Sequence, residues 1–327
     1  MSQGQISPSF YQPTAQELSQ VRDMLISFPQ RTPYPWLSQL LGHVLGEGGG
    51  KMLRPTLSLL IGKCLGYRAH LHVPMAVAVE LLHTATLVHD DAVDDSPLRR
   101  GKATLNVLWD RTTSVLVGDY LFSLAAELAA NTGNMEVIKL FAATLMNVCN
   151  GELQEKSFSH RIDVTREQYF SCIDLKTASL FSAATEAAAL LSQAPAGSVQ
   201  AMKNYGHHLG MAFQVVDDIL DFVGEEREMG KPVGSDLLQG TLTLPALLLV
   251  ERCPGGGPVA ALFQGQDAEA NLEKAIALIR DSSIIEECYA VAQGFQAQAC
   301  QSLQVLADSP FRQALLDMAD YSVQRQR

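Results

Sequence analysis

The chain has 327 residues, room for one large or two ordinary domains. Apolar residues make up 47% and aromatics only 7%, and with Ala and Leu frequent this balance favours packed helices over a sheet-rich fold. Lys and Arg number 24 against 35 Asp and Glu, a formal charge of −11 that excludes nucleic acid as the default partner, though not an anionic substrate carried by divalent cations.

Residues 1–13 are polar and proline-bearing and are expected to fray, leaving 14–327 as a single domain. Thr14-Ala15-Gln16-Glu17 has capping-box spacing and opens a short amphipathic helix through Leu18, Val21 and Leu25. Pro29, Pro33 and Pro35 interrupt before a second helix from Trp36 to Leu45. Next comes Gly46-Glu47-Gly48-Gly49-Gly50-Lys51-Met52-Leu53-Arg54-Pro55. Glycines let the backbone approach a ligand, and Lys51 and Arg54 follow within one turn. The same composition also suits an interhelix loop with two solvated cations.

From Val73 to Asp94 the apolar periodicity is helical, through Ala76, Val77, Val79, Leu81, Leu82, Ala85 and Leu87. It ends in Asp90-Asp91-Ala92-Val93-Asp94, a D-D-x-x-D pattern in which Asp90 and Asp94 share a face. His83 lies about two turns earlier on nearly the same face, as a ligand-binding group or a core histidine. Pro97 stops the helix and Arg99-Arg100 follow. Paired guanidinium forks suit phosphate oxygens, or merely offset the neighbouring aspartates.

Leu105–Asn131 and Met135–Ser157 read as two further helices, broken at Thr132-Gly133-Asn134. Thr165-Arg166-Glu167-Gln168 has capping-box spacing and opens a helix to about Ser192 that carries Lys176 and Thr177. After Ala194-Pro195-Ala196-Gly197, a helix from Val199 to Val223 ends in a second D-D-x-x-D: Asp217, Asp218 and Asp221. The glycine- and charge-rich stretch 224–236, with Lys231, is expected to be a mobile lid. Leu244 begins another apolar helix, and three smaller helices follow the turn at 253–258, the last opened by Ser309-Pro310. No alternating strand pattern appears. The expected fold is all-α, one domain of about ten or more helices around a central cavity.

Six cysteines without CxxC spacing imply reduced thiols in a cytoplasmic protein. With neither a signal pattern nor a run of about 18 uncharged apolar residues, no transmembrane segment is expected.

Apolar sequence running into three carboxylates is electrostatically costly unless cations compensate them. Two such clusters read as two rims of one Mg²⁺ site, a hard cation that takes carboxylate and phosphate oxygens. Lys51, Arg54, Arg99 and Arg100 supply counter-charge for diphosphates, and the apolar helices leading into the clusters ask for a hydrocarbon tail. A diphosphate head with such a tail is a prenyl diphosphate.

At this point the chain resembles the trans-isoprenyl (polyprenyl) diphosphate synthase family, in its long-chain octaprenyl/solanesyl-type branch. The resemblance rests on GGGKMLRP at 48–55, ELLHTATLVHDDAVDDSPLRRG at 80–101, GDYLFSLA at 118–125 and LKTASLFSAAT at 175–185. It continues through MAFQVVDDILDF at 211–222, GKPVGSDLLQGTLTLP at 230–245 and ADYSVQRQR at 319–327. It covers the chain from about residue 36, and two D-D-x-x-D clusters in order with the basic elements are far more specific than one.

The resemblance implies a prenyltransferase of the isoprenoid synthase fold. It condenses isopentenyl diphosphate head-to-tail with an allylic prenyl diphosphate into a medium- or long-chain all-trans product. Asp90, Asp91, Asp94, Asp217, Asp218 and Asp221 would bind Mg²⁺, three ions with the diphosphate bound. Arg99, Lys176 and Lys231 would contact the allylic diphosphate; Lys51, Arg54, His83 and Arg100 would hold isopentenyl diphosphate. Thr177 and Gln214 would lie beside the reacting carbons and stabilise developing positive charge. Family members are usually homodimers.

Product length would follow the side chains lining the tail's path. Short-chain relatives carry a bulky residue at the position of Ala85, so Ala85 with Thr86 implies a product beyond about twenty carbons, one and a half turns above Asp90; Phe141 is a candidate deeper floor. Three departures stand out: Met52 for a second basic residue, Ala103 for a frequent proline, and Gly240-Thr241 for Gly-Lys, which removes one diphosphate contact. A shorter-chain synthase is the main alternative. A class I terpene cyclase is disfavoured by the second aspartate cluster and the basic residues, and a non-catalytic subunit by the six intact aspartates.

Overall fold

The structure, a computed structural model, describes residues 8–46, 50–99, 101–224 and 232–325. The expected all-α architecture holds: the described residues form helices joined by short loops, with one two-residue antiparallel hairpin, Leu98–Arg99 against Lys102–Ala103. Chain contacts define two compact units, each drawn from separate stretches. The first takes the chain up to Ala143 with Ala183–Lys203 and Leu303–Asp317. The second takes Thr144–Ser182, Asn204–Ser302 and the chain from Met318.

The first unit is built on the helix Ala69–Val93, against which Leu53–Leu65 and Arg111–Ala130 pack. Its Ala76, Val77, Ala78, Leu81 and Ala85 are fully buried, so the apolar periodicity seen in the sequence is the core stripe of this helix. The helix begins four residues before the expected Val73. Pro74 lies in its second turn, where it leaves the His70 carbonyl without its helical donor.

Two N-terminal expectations are corrected. Residues 8–13 are not frayed: Ser9–Thr14 forms a 3₁₀ helix with Phe10 buried. Thr14 makes no capping bond, because the 3₁₀ turn runs straight into the helix Ala15–Ser27 and holds Thr14 at ψ 18° rather than extended. The expected helix Leu105–Asn131 is also two helices, Leu105–Leu108 and Arg111–Ala130. The break is Asp110, extended, whose carboxylate caps the second helix by accepting from Thr113 N at 2.7 Å and Thr113 Oγ1 at 2.9 Å.

The second unit has its core around Val215, Val216, Ile219, Phe222, Leu247 and Leu248. The Thr165/Gln168 capping box forms in both directions, at 3.2 and 2.9 Å. The helix it opens is not regular throughout: Arg166–Ile173 passes into a π-helical turn, Asp174–Ala178, and then into Ser179–Leu191. After the turn at 253–258 there are four α-helices, not three: Gly257–Phe263, Ala268–Arg280, Ile284–Ser302 and Pro310–Gln324. Ser309 caps the last, accepting from Arg312 N at 3.1 Å.

By length and hydropathy alone two helices pass for membrane spans, Ala69–Val93 and Arg111–Ala130, with 67% and 39% of their apolar windows buried. Both contain charged residues, which is why neither is an uninterrupted apolar run in the sequence. The first is the core helix of the first unit.

Two glycines hold the π turn in place. A Cβ on Gly151 would lie 2.6 Å from Lys176 N, and one on Gly210 2.6 Å from Ala178 Cα. In both cases the obstacle is backbone, so the turn is clamped between the helices Met135–Phe158 and Ala196–Val223. Gly151→Ala and Gly210→Ala are each expected to destabilise by about 1–2 kcal/mol in urea unfolding, overpacking outweighing the helical gain of Ala. An unchanged midpoint would show that the helices have room to part.

Candidate active site

The first aspartate cluster closes the helix Ala69–Val93, with Asp94 N bonded to Asp90 O at 2.8 Å. Asp90 and Asp94 are therefore one turn apart, at the end where the helix macrodipole is negative. Carboxylates there repel the last carbonyls and each other, which makes the cluster a strong cation attractor. Asp94 is exposed and Asp90 half-buried.

Asp91 is different. It is buried at 7% exposure, and its Oδ1 accepts from Arg99 Nε at 2.9 Å and Nη2 at 2.6 Å. Burial pushes its carboxyl above the usual range, while the Arg99 hydrogen bonds and charge pull it back. The hairpin that carries Arg99 is tied down by Thr104 Oγ1 donating to Ser96 O at 2.7 Å and by His43 Nε2 at 2.8 Å from Ala103 O.

In the same unit Lys51 and Arg54 flank the N-terminus of the helix Leu53–Leu65, the end that favours anions. Lys51 is exposed and its carbonyl accepts from the Tyr11 hydroxyl at 2.6 Å; Arg54 is half-buried. His83 is half-buried two turns before Asp90. Gly48, Gly49 and Arg100 lie outside the described residues. Ala85 is fully buried, Thr86 Oγ1 donates to His83 O at 2.7 Å, and Phe141 is partly buried on Met135–Phe158. A cavity beside Asp91 and Arg99 is lined by Thr84, Leu87, Val88 and Leu105. That is a different face of the helix from Ala85, so it lends the chain-length assignment no weight.

In the second unit the three carboxylates read as one rim have three different environments. Asp217 has a 42% exposed side chain and pairs with Arg325 Nη1 at 2.6 Å. Arg325 is itself almost fully buried, over the Phe213 ring at 3.6 Å and bonded to Phe213 O at 2.5 Å. Asp218 is 3% exposed and accepts from Tyr169 Oη at 2.6 Å and Gln214 Nε2 at 2.8 Å. Burial pushes the Asp218 carboxyl well above the usual range. Asp221 is fully buried and accepts from Ser235 Oγ at 2.9 Å and Asp236 N at 3.2 Å. One turn beyond Asp217, it is captured where the chain returns at 234–236. Residues 225–231, with Lys231 and most of the expected lid, lie outside the described residues.

Lys176 lies in the π turn, its Nζ 3.1 Å from Glu152 and 2.5 Å from Glu155. Thr177, 9% exposed, donates to Gln214 Oε1 at 2.7 Å. Sequence reasoning missed Glu152, Glu155, Tyr169 and Arg325. The only available signals were the three-residue spacing of the two glutamates and an unassigned arginine in the C-terminal segment.

Each unit separately carries carboxylates of a kind that suits Mg²⁺. Asp90, Asp94 and Asp217 present hard carboxylate oxygens with partial exposure. Among the described residues no group of three or more His, Cys, Asp or Glu side chains is placed to hold a metal ion; Mg²⁺ commonly takes one or two carboxylates and completes its shell with water and substrate phosphates.

The sequence profile of the family described as polyprenyl synthetase matches residues 34–279. Octaprenyl diphosphate synthase of Escherichia coli (strain K12) is 34% identical over 318 residues, covering 96% of this chain and 97% of the relative. Among solved structures, a decaprenyl diphosphate synthase from Rhodobacter capsulatus is 38% identical with a TM-score of 0.90, covering 97% of this chain and 98% of the other. A polyprenyl synthase from Caulobacter crescentus CB15, complexed with calcium and isoprenyl diphosphate, is 32% identical with a TM-score of 0.91, covering 99% and 100%.

Arg99→Gln removes the counter-charge of Asp91 and is expected to destabilise by about 1 kcal/mol at pH 7.5 without metal, discounted for the partial exposure of Arg99. The variant's Asp91 pKa rises further in the folded state. The added penalty is therefore absent below the parent's folded value, grows between it and the higher folded value of the variant, and levels off above that. Thermal midpoints of variant and parent at pH 4.5, 6 and 7.5 in EDTA check this: the gap widens with pH. A constant gap would mean that Arg99 acts by packing alone.

Proposed function

The chain belongs to the polyprenyl synthetase family and is a trans-prenyltransferase of the medium- to long-chain polyprenyl diphosphate synthase type; we propose that Mg²⁺ is its metal and that both aspartate clusters serve one diphosphate. The observation that carries this reading is the placement of Asp90 and Asp94 at the negative end of a buried apolar helix. Such an arrangement wants a cation beside a hydrocarbon.

Asp90, Asp94 and Asp217 are the direct ligands in this reading, with three ions bound once the diphosphate is present. Bound there, Mg²⁺ would supply charge neutralisation for the departing diphosphate. Arg99 and Lys176 donate to the allylic diphosphate oxygens, exchanging the carboxylates of Asp91, Glu152 and Glu155 for phosphate, and Lys231 joins them. Lys51, Arg54, His83 and Arg100 hold isopentenyl diphosphate, supported by the positive end of the helix Leu53–Leu65.

The allylic C–O bond breaks and its electron pair leaves with the diphosphate. The isopentenyl double bond then forms the new C–C bond, and a proton passes to the released diphosphate. Thr177 and Gln214 face the developing cation with oxygen dipoles, and apolar walls keep water from trapping it. Residues 14–327 act as one catalytic domain, as a homodimer in the cytoplasm. All six cysteines are free thiols, as a reducing compartment requires.

The test is product mass spectrometry with the purified chain, farnesyl diphosphate, isopentenyl diphosphate and Mg²⁺. The expected product exceeds about twenty carbons, EDTA abolishes it, Asp90→Asn lowers kcat by about 100-fold or more, and Ala85→Phe shortens it, its ring blocking the tail about one and a half turns above Asp90. A product of twenty carbons or fewer from the parent would support the shorter-chain reading, and no product without a second protein would support a non-catalytic subunit. The same length after Ala85→Phe would refute the placement of the tail.

A further inference from the structure

The second aspartate cluster contains a hydrogen-bond chain whose donor and acceptor senses are set throughout. Its members are Tyr169, Asp218, Gln214 and Thr177, linked at 2.6, 2.8 and 2.7 Å. The Asp218 carboxylate has one oxygen on Tyr169 and the other on the Gln214 amide nitrogen. With Asp218 accepting on both oxygens, the Gln214 amide nitrogen faces it and the amide oxygen is turned the other way. Gln214 Oε1 is thereby presented to Thr177, whose hydroxyl must donate to it. A hydroxyl has one proton. With it committed to Gln214, Thr177 Oγ1 has only lone pairs left.

Resting on the proposed function, we infer that Tyr169 and Asp218 are positioning residues that lock Thr177 as a pure acceptor for the allylic cation, and that Asp218 is not a metal ligand. Both Asp218 oxygens are already engaged, and its side chain is 3% exposed, whereas Asp217 one residue earlier is 42% exposed on its side chain. A freely rotating hydroxyl would offer its proton to the cation in part of the population, and that orientation repels the charge it should stabilise. The chain abolishes that population before the reaction begins. The clamp of Gly151 and Gly210 on the π turn acts to the same end by fixing the Thr177 backbone.

The measurement compares steady-state kinetics, Mg²⁺ half-saturation and thermal midpoints for the parent, Tyr169→Phe, Asp218→Asn and Asp218→Ala. Asparagine keeps an oxygen for the Gln214 amide and gives its NH₂ to the Tyr169 oxygen, so the sense of the chain survives loss of the charge. Asp218→Asn is expected to keep kcat within about threefold, while Asp218→Ala loses about 100-fold and Tyr169→Phe about five- to tenfold. In all three, both KM values and the Mg²⁺ half-saturation stay within about twofold, as they do when an interaction matters only in the transition state.

Asp218→Asn falling as far as Asp218→Ala with raised Mg²⁺ half-saturation would make Asp218 a metal ligand and overturn the inference. So would an unchanged kcat in Tyr169→Phe. If Asp218→Ala lacks a cooperative thermal transition, the Asn and Phe variants decide alone. An inactive parent chain would instead refute the proposed activity, which keeps the two failures apart.

Discussion

Carboxylates placed at the negative ends of apolar helices are the constraint on which this protein turns. Each D-D-x-x-D cluster sets three acidic groups where the backbone carbonyls already concentrate negative charge. The protein answers with internal partners for some of them. Arg99 holds Asp91, Arg325 holds Asp217, Tyr169 and Gln214 hold Asp218, and the returning chain at Ser235 and Asp236 holds Asp221. Each partner leaves a different carboxylate character behind. The two most buried groups, Asp218 and Asp221, have their oxygens engaged by donors; Asp90, Asp94 and Asp217 are the more exposed.

The same logic explains the cations. Lys176 and Arg99 rest on carboxylates from their own units, so in the proposed reading each is ordered before a diphosphate arrives. Exchange of one anionic partner for a more strongly charged one costs little reorganisation, which is where an enzyme gains over water. The π turn adds a backbone contribution. It displaces Lys176 and Thr177 from regular helical positions, and two glycines on neighbouring helices leave it no space to relax.

Much of this was legible in the residues. The apolar stripe from Val73 to Leu87 marked the core helix, the two aspartate patterns marked its chemistry, and the Thr165/Gln168 box opened its helix as read. What escaped was tertiary. Nothing local distinguishes Asp218 from Asp217, because burial decides between them and burial comes from Tyr169, 49 residues away. Asp110 hid inside an apolar run although it caps a helix, and Thr14 had cap spacing without the extended backbone that a cap needs. A pattern that treats the three aspartates as equivalent reads composition correctly and misses their different burial and partners.

The most direct test of the account is Mn²⁺ binding followed by electron paramagnetic resonance, with and without a non-ionisable allylic thiolodiphosphate. If both clusters serve one diphosphate, the analogue tightens Mn²⁺ binding to the parent chain. Asp90→Asn and Asp217→Asn should then each weaken that same analogue-dependent binding, by about tenfold or more for loss of a charged ligand. Analogue-dependent binding that survives either substitution unchanged would contradict the account, because one cluster alone would then carry the metal.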